Sequence, residues 1–293
     1  MSTTRAPTIV VTGLGFAEGL RWHAGELWFS DFRTRNVTSV TPSGKVTKRA
    51  FIPGGPSGLG WSRDGELLVT SMIDQQLVGV DAQGRRRSVA SLAGIAAGPL
   101  QDMLVHTNGT AYIGDHGGDL IYRELTAETV ADVLRPAPLF MVTPDLQVRP
   151  ASGPLRLSNG MAEHSDGRLI VTETLAGRIL IFDVDGDGSL SNQRVFADLG
   201  RPSDGITIDS DDAVWTCVPL ENRILRVKEG GAILDEIVLP HGHPVDCAIG
   251  DPDGMTLYVA VTYTPSIGAA AWGDGEVHSA VESWRVDVPR PSA

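Results

Sequence analysis

The stretch Asp166-Gly167-Arg168-Leu169-Ile170-Val171-Thr172 decides the fold, because a tight turn leads directly into a run of aliphatic residues. Asp-Gly is a strong turn former, and a short aliphatic run bounded by turn residues is typical of a buried β-strand. The same pattern occurs six times in the 293-residue chain. The six turns begin at residues 24, 64, 108, 166, 211 and 253, in steps of 40, 44, 58, 45 and 42 residues.

A second turn and strand follow within each unit, most clearly at residues 177–182 and 222–227. A period of 40 to 45 residues with about four short strands is typical of propeller blades. The sequence therefore predicts an all-β fold, a six-bladed β-propeller. Residues 8–11 and 281–288 are both strand-like, and we expect the N- and C-terminal strands to close the ring in one shared blade, which removes exposed edges. This closure implies a single domain over residues 1–293.

The step of 58 residues predicts an insertion at about residues 135–154, between blades three and four. The segment is rich in proline, which favours a loop or an extra hairpin. Long loops in compact domains often line a ligand entrance, but they can also be decoration, and both interpretations remain open.

Composition limits the function classes. The chain has 24 Lys and Arg against 36 Asp and Glu, which gives a net charge of −12 and a pI near 4.9. This balance argues against a nucleic-acid partner and against an anionic membrane surface. The sequence shows neither a signal-peptide pattern nor an apolar run of membrane-helix length, so we expect a cytoplasmic protein with a small-molecule partner. Cys217 and Cys247 lie in strand-like runs and predict buried thiols, with a single disulfide as the alternative.

Three polar side chains precede a glycine just before a predicted strand: Glu18, Asn159 and Asp204. Glu18 lies 6 residues before the repeat turn of its blade, and Asn159 and Asp204 each lie 7 residues before theirs. Any one of them could be an ordinary turn. Their recurrence at nearly the same offset is informative, because equivalent positions of successive blades face the same central channel. We therefore predict that the three side chains converge at one end of that channel.

Two carboxylates brought close together would repel each other unless a positive charge lay between them. Oxygen donors from Glu, Asn and Asp suit a hard divalent cation. We expect one such ion, with Ca²⁺ preferred and Zn²⁺, Mn²⁺ and Mg²⁺ as alternatives.

The segments Glu18-Gly19-Leu20-Arg21-Trp22, Asn159-Gly160-Met161-Ala162 and Ser203-Asp204-Gly205-Ile206 resemble the motifs of the SMP-30/gluconolactonase/LRE-like (regucalcin-type) family. The order and spacing of these motifs extend the resemblance over nearly the whole chain. It implies a six-bladed propeller with a single divalent ion in the channel. It also implies that Glu18, Asn159 and Asp204 are the metal ligands, and that Asp204 acts as the base in lactone hydrolysis.

Blade three departs from the family pattern. Sugar lactonases of the family read Arg-x-Asn-Asp where this chain reads Pro99-Leu100-Gln101-Asp102. Gln101 and Asp102 are the predicted substrate-binding residues, together with His116, which follows a predicted strand. Loss of the arginine removes a fixed fork for a polyhydroxy or anionic substrate, so a less polar lactone or ester is an alternative to a sugar lactone.

The resemblance implies a hydrolase in which the cation polarises the carbonyl and Asp204 supplies or activates the nucleophile. A carboxylate bound to a cation is a weak base, unless one of its oxygens binds the ion and the other faces water. Two alternatives remain: an esterase or organophosphate hydrolase that uses the same metal and propeller, and a non-catalytic calcium-binding propeller.

Overall fold

The structure is a computed structural model that describes residues 6–118, 134–263 and 277–291. Its strands form six four-stranded antiparallel sheets, arranged as the blades of a β-propeller. The innermost strand of each blade contacts the innermost strands of the two neighbouring blades, so that six strands surround a central channel. The predicted fold is confirmed.

Each blade consists of four strands that follow one another from the channel outward. Blades one to three contain β2 Ala17–His23, β3 Glu26–Asp31, β4 Asn36–Val40 and β5 Val46–Phe51; β6 Pro56–Trp61, β7 Leu67–Ser71, β8 Gln76–Val80 and β9 Arg86–Ser91; and β10 Leu100–Val105, β11 Ala111–Asp115, β12 Ala137–Val142 and β13 Val148–Leu155. Blades four to six contain β14 Ser158–Glu163, β15 Leu169–Glu173, β16 Arg178–Val184 and β17 Leu190–Asp198; β18 Ile206–Ile208, β19 Val214–Val218, β20 Arg223–Val227 and β21 Ile233–Val238; and β22 His243–Gly250, β23 Thr256–Tyr263, β24 His278–Arg285 and β1 Thr8–Leu14. Two 3-10 turns, η1 Thr174–Ala176 and η2 Pro219–Glu221, precede β16 and β20.

Both ends of the chain build blade six, as predicted. Strand β1 lies on the outside of this blade and pairs antiparallel with β24, with Thr8 opposite Ser283 and Leu14 opposite Ser279. Hydrogen bonds between residues far apart in sequence therefore close the ring.

The apolar core consists of six clusters, each between two neighbouring blades. The second strand of a blade is covered on both faces, and all five residues of β7, β11, β15 and β19 are buried. This burial explains why these strands read as continuous apolar runs rather than as alternating ones. Cys217 and Cys247 lie in the cluster between blades five and six, and both are buried and free. Among the described residues, no helix is long and apolar enough to cross a membrane.

The structure differs from the insertion expected at residues 135–154. Most of this segment forms β12 and β13, the two outer strands of blade three. The extra length of the blade lies between β11 and β12, largely outside the described residues. The prolines favoured a loop or an extra hairpin. Strands β12 and β13 do form an antiparallel hairpin, but it is the regular outer pair of blade three and not an addition to it. Pro150 and Pro154 lie on β13, the outermost strand of its sheet, where the missing N–H groups cost no pairing with an outer neighbour.

Glycine allows the innermost strands to approach each other closely. A Cβ added at Gly160 would lie 2.5 Å from the backbone nitrogen of Ile206, and one at Gly205 would lie 2.0 Å from Oδ1 of Asp246. The missing side chain at Gly160 therefore lets two backbones pack directly, and the one at Gly205 leaves room for the Asp246 carboxylate.

We expect Gly160→Ala to destabilise the protein by about 1–3 kcal/mol, because the added methyl group overlaps the backbone of the next blade. Gly153→Ala is the matched control, since a Cβ at Gly153 meets nothing within 4 Å. Urea unfolding followed by tryptophan fluorescence measures both. A Gly160→Ala variant as stable as Gly153→Ala would contradict the packing of the hub described above.

Candidate active site in the central channel

A register shift recurs near the start of the innermost strands and defines equivalent positions. In β2, β6, β10, β14 and β22 the pairing with the second strand slips by one residue, which is a β-bulge. Bulges bend a strand and redirect its side chains. Aligned on these shifts and on the Asp204 N–H bond to the Cys217 carbonyl (2.9 Å), six residues are equivalent: Glu18, Ser57, Gln101, Asn159, Asp204 and Val245.

The three predicted metal ligands all belong to this set of six. Each lies where an innermost strand begins, and we call this end of the channel the mouth. Glu18, Asn159 and Asp204 all keep partial contact with solvent, whereas Ser57 and Gln101 are buried. The sequence offsets thus selected positions that the structure places at equivalent points around one ring.

Hydroxyl groups of one blade fix the mouth residues of the next blade. Ser30 on β3 donates a hydrogen bond to the carbonyl oxygen of Ser57 (2.6 Å), and Thr70 on β7 donates to that of Gln101 (2.8 Å). Thr172 on β15 donates to the carbonyl oxygen of Asp204 (2.9 Å). These hydrogen bonds, which are buried or partly buried, therefore fix the backbone of three of the six mouth residues.

The carboxylates at the mouth repel each other in a setting that solvates them poorly. Burial raises the pKa of Glu18 well above its ordinary value; Asp102, Asp204 and Asp246 raise it further, while a hydrogen bond from Ser57 lowers it. Burial likewise raises the pKa of Asp204, with additional repulsion from Asp246 and Asp102. A positive charge at the mouth would remove this penalty, so the charge balance favours a bound cation.

Further unpaired oxygens lie around the mouth. Gln101 Oε1, Ser158 Oγ and Ser203 Oγ are buried and have no hydrogen-bond partner among the described residues. Ser158 and Ser203 directly precede Asn159 and Asp204. Buried polar atoms of this kind normally have a partner, such as water, an ion or a ligand.

These observations fit a divalent ion that prefers oxygen donors. Over the described ranges 6–118, 134–263 and 277–291, no three His, Cys, Asp or Glu side chains form a group that could hold a metal ion by themselves. The predicted set contains two carboxylates and depends on the Asn159 amide oxygen for its third donor. The residues that would hold the ion are thus Glu18, Asn159 and Asp204, and their roles as ligands stay a prediction.

The predicted substrate-binding residues lie at different depths. Gln101 belongs to the six mouth positions, whereas Asp102 is one residue further along β10, and both of its oxygens accept hydrogen bonds from Arg21 (3.0 and 3.2 Å). His116 is buried directly after β11, and its Nδ1 lies 3.1 Å from the carbonyl oxygen of Pro99. Burial lowers the pKa of His116 to about 4, so the imidazole is neutral at pH 7.

Sequence reasoning missed two charged residues of the channel, Arg21 and Asp246. Asp246 accepts hydrogen bonds from the backbone N–H groups of Leu20 (2.6 Å) and Cys247 (2.8 Å). Burial and repulsion from Asp102 raise the pKa of Asp246 to about 7, although Arg21 acts against this rise. Asp246 does not precede a glycine, so it lacks the motif that identified Glu18, Asn159 and Asp204. Aligning it with Gly205 and Asp102 in the repeat would have found it.

The fold and the mouth together define a class, a six-bladed β-propeller with a site of oxygen donors in its channel. The family model described as SMP-30/Gluconolactonase/LRE-like region matches residues 16–263. The chain therefore belongs to this family, as the motifs suggested.

Named relatives agree with this assignment. A 6-deoxy-6-sulfogluconolactonase of Pseudomonas putida is 28% identical over 156 residues, which are 52% of this chain and 53% of the relative; the match thus spans about half of that protein's length. Lactonase drp35 of Staphylococcus aureus is 24% identical over 255 residues, 81% of this chain and 74% of the relative. Both relatives are named as lactonases.

A solved structure shows the same fold. The structure of a protein described as the calcium-binding protein regucalcin, from Agrobacterium tumefaciens, superposes with a TM-score of 0.74 over 99% of this chain and 98% of that chain, at 18% identity.

Asp204→Asn should stabilise the metal-free protein, because it removes a carboxylate whose pKa is raised in the folded state. Such a group weakens folding once the pH rises above its unfolded pKa, near 4, and the penalty grows up to the folded pKa. In EDTA at pH 7.5 we expect the Tm to rise by about 3–6 °C, and by less at pH 5.

The control is Asp253→Asn, since an exposed ion pair with Arg285 lowers the pKa of Asp253 and its loss cannot stabilise. Thermal unfolding followed by circular dichroism gives both values. If Asp204→Asn lowered the Tm in EDTA at pH 7.5, the raised pKa of Asp204 in the folded protein would be refuted.

Proposed function

We propose that this protein is a metal-dependent lactone hydrolase, with one divalent cation, Ca²⁺ in the first instance, held at the mouth by Glu18, Asn159 and Asp204. The observation that carries the proposal is the placement of two carboxylates, Glu18 and Asp204, at equivalent positions of one ring, where poor solvation and neighbouring aspartates raise the pKa of both. Lactone hydrolysis as the reaction of this site is supported by membership of a family that includes named lactonases.

When bound, a divalent cation would polarise the lactone carbonyl and stabilise the developing oxyanion. The chain's own residues then have distinct tasks. Asp204 would be one of the three residues that hold the ion, and its carboxylate would also orient and deprotonate the attacking water as the base. Thr172 holds the backbone of Asp204 through its hydrogen bond to the carbonyl oxygen, so the carboxylate starts from a fixed position.

Two other side chains would contact the substrate. Gln101 has an amide oxygen without a partner among the described residues, so it can accept a hydrogen bond from a substrate hydroxyl. His116 is neutral at pH 7, because burial lowers its pKa to about 4. We propose that it serves substrate binding rather than charge stabilisation.

Chelation and loss of Asp204 should both abolish lactone hydrolysis. We expect EDTA to remove the activity and Ca²⁺ to restore it, and Asp204→Ala to lower kcat/KM by about 10²–10⁴-fold. Proton release from a panel of lactones measures these rates. Asp253→Ala, on the exposed turn between β22 and β23, should leave the activity unchanged.

Other outcomes select the alternatives. Lactonase activity that survives both EDTA and Asp204→Ala would refute the metal mechanism. Hydrolysis of phosphotriesters or aryl esters without lactone turnover would favour the alternative of a metal-dependent esterase or organophosphate hydrolase. Calcium binding without hydrolysis of any compound in the panel would favour a binding propeller, the property for which the regucalcin of A. tumefaciens is described.

A cavity at the entry to blade four supports an acidic lactone as the substrate. A cavity of about 160 Å³ lies beside the loop that enters β14, and it is lined by Leu134, Arg135, Pro136, Arg156, Leu157 and Leu175. Within the described part of the chain, neither of its two arginines has an ion-pair partner. Two unpaired guanidinium groups on a chain of net charge −12 suit an anionic substituent of the substrate. The name of one relative likewise contains a sulfo-substituted lactone.

The double variant Arg135→Gln/Arg156→Gln should raise KM for a carboxylated or sulfonated lactone by about tenfold or more, because charge-assisted hydrogen bonds are lost. KM for a neutral lactone should stay within about twofold, since no charge is recognised there. The matched control is Arg85→Gln/Arg87→Gln, which removes two arginines of exposed ion pairs in blade two. Equal effects on acidic and neutral lactones would exclude recognition of an anion by this cavity.

A further inference from the structure

Arg21 lies in the channel and connects blades across it. It is carried by β2, three residues after Glu18, and its guanidinium contacts β10 two blades away. Nη2 donates to both oxygens of Asp102 (3.0 and 3.2 Å) and to the carbonyl oxygen of Met103 (2.7 Å), while Nη1 donates to the carbonyl oxygen of Leu20 (2.8 Å). With 17% of its side chain exposed, Arg21 is a fixed cation inside the channel rather than a surface group.

The two aspartates near Arg21 occupy a special position in the repeat. The residue that follows each mouth position is a glycine in four blades and an aspartate in the other two; in blade order these are Gly19, Gly58, Asp102, Gly160, Gly205 and Asp246. Glycine at this position allows the innermost strands to approach each other closely, so an aspartate fits there only where the neighbouring blade leaves room for its side chain. Gly205 leaves this room for Asp246, because a Cβ at Gly205 would collide with the Asp246 carboxylate.

Asp102 and Asp246 are electrostatically coupled to the predicted cation site. Each raises the pKa of both Glu18 and Asp204, and both attract Arg21. The channel thus contains four carboxylates against one guanidinium, a formal charge of −3 when all are ionised. One divalent ion at the mouth would reduce this charge to −1, whereas without Arg21 two divalent ions would be needed for neutrality.

We infer that Arg21 is the built-in counter-cation of Asp102 and Asp246, and that it restricts the channel to a single divalent ion at the mouth. Arg21 is accordingly a positioning residue, because it acts on the ion through the carboxylates that it engages. The inference rests on the proposed cation site at Glu18, Asn159 and Asp204. It goes beyond that site, because it assigns the number and the affinity of bound ions to a residue that binds no ion itself.

A purely structural role for Arg21 leads to a different expectation. An ion pair that only joins β2 to β10 would affect stability when broken, but it would leave the number of bound ions unchanged. The number of ions per chain and the order of their affinities in a series of charge variants therefore separate the two roles.

The test is calorimetric titration of EDTA-stripped, dialysed protein with Ca²⁺, and in parallel with Mn²⁺. Arg21→Met makes the formal charge of the channel −4, and Asp102→Asn makes it −2. Arg21→Met/Asp102→Asn returns it to −3 without the ion pair, and Arg21→Lys keeps the charge with a different geometry. The matched control is Arg226→Met: Arg226 lies on β20, 11% of its side chain is exposed, and it pairs with the two aspartates Asp209 and Asp211.

We expect one ion per chain in the wild type and two in Arg21→Met, with the first ion bound about tenfold or more tightly. Asp102→Asn should bind one ion about tenfold or more weakly, although Asp102 is not a predicted ligand. Arg21→Lys, the double variant and Arg226→Met should each bind one ion within about threefold of the wild-type affinity, which is small beside the effect of a whole buried charge.

One ion of unchanged affinity in Arg21→Met and in Asp102→Asn would overturn this inference and leave the proposed function intact. A wild type and an Arg21→Met variant that both bind no ion would overturn the inference together with the cation site. If Arg21→Met does not fold, the decision falls to Asp102→Asn and the double variant. If Asp102→Asn and the double variant bound the ion with equal affinity, the dependence of ion affinity on the charge of the channel would be refuted.

Discussion

Repulsion between carboxylates at the hub of the ring is the constraint on which the arrangement of this site depends. Glu18 and Asp204 come from blades one and five, and they are held in one channel with Asp102 and Asp246. Like charges in a poorly solvated place oppose folding. The structure tolerates them because its apolar cores lie elsewhere, in six clusters between the blades, and because the ring is closed by β1 and β24.

The fold could be predicted because its repeat leaves a local signal in every blade. The turn at Asp166-Gly167 and the run that follows it recur at a nearly constant period, and all six predicted turns lie between a first and a second strand. The prediction was wrong at residues 135–154, because a long step between repeats does not show where in the blade the extra residues lie. Pro150 and Pro154 favoured a loop or an extra hairpin, yet an edge strand of the regular blade tolerates both.

The site could be predicted in part. Glu18, Asn159 and Asp204 were found because each precedes a glycine 6 or 7 residues before a repeat turn, and the β-bulges show why this spacing has structural meaning. Their role as ligands is still a prediction. Arg21 and Asp246 were missed for a physical reason. The contact between Arg21 and Asp102 spans 81 residues and two blades, and a blade period does not indicate the reach of a long side chain across the channel.

The residue that follows each mouth position allows close packing in four blades and carries a negative charge in the other two. At Gly160 and Gly205 the absence of a side chain brings neighbouring backbones together, and this tight approach fixes the ring. At Asp102 and Asp246 the same location carries a carboxylate, which is held by a guanidinium in one case and by backbone N–H groups in both. Four glycines therefore define the geometry into which two aspartates and Arg21 place a fixed set of charges. The charge that a ligand at the mouth experiences is then a property of the closed ring, because every strand that contributes to it is held by its neighbours on both sides.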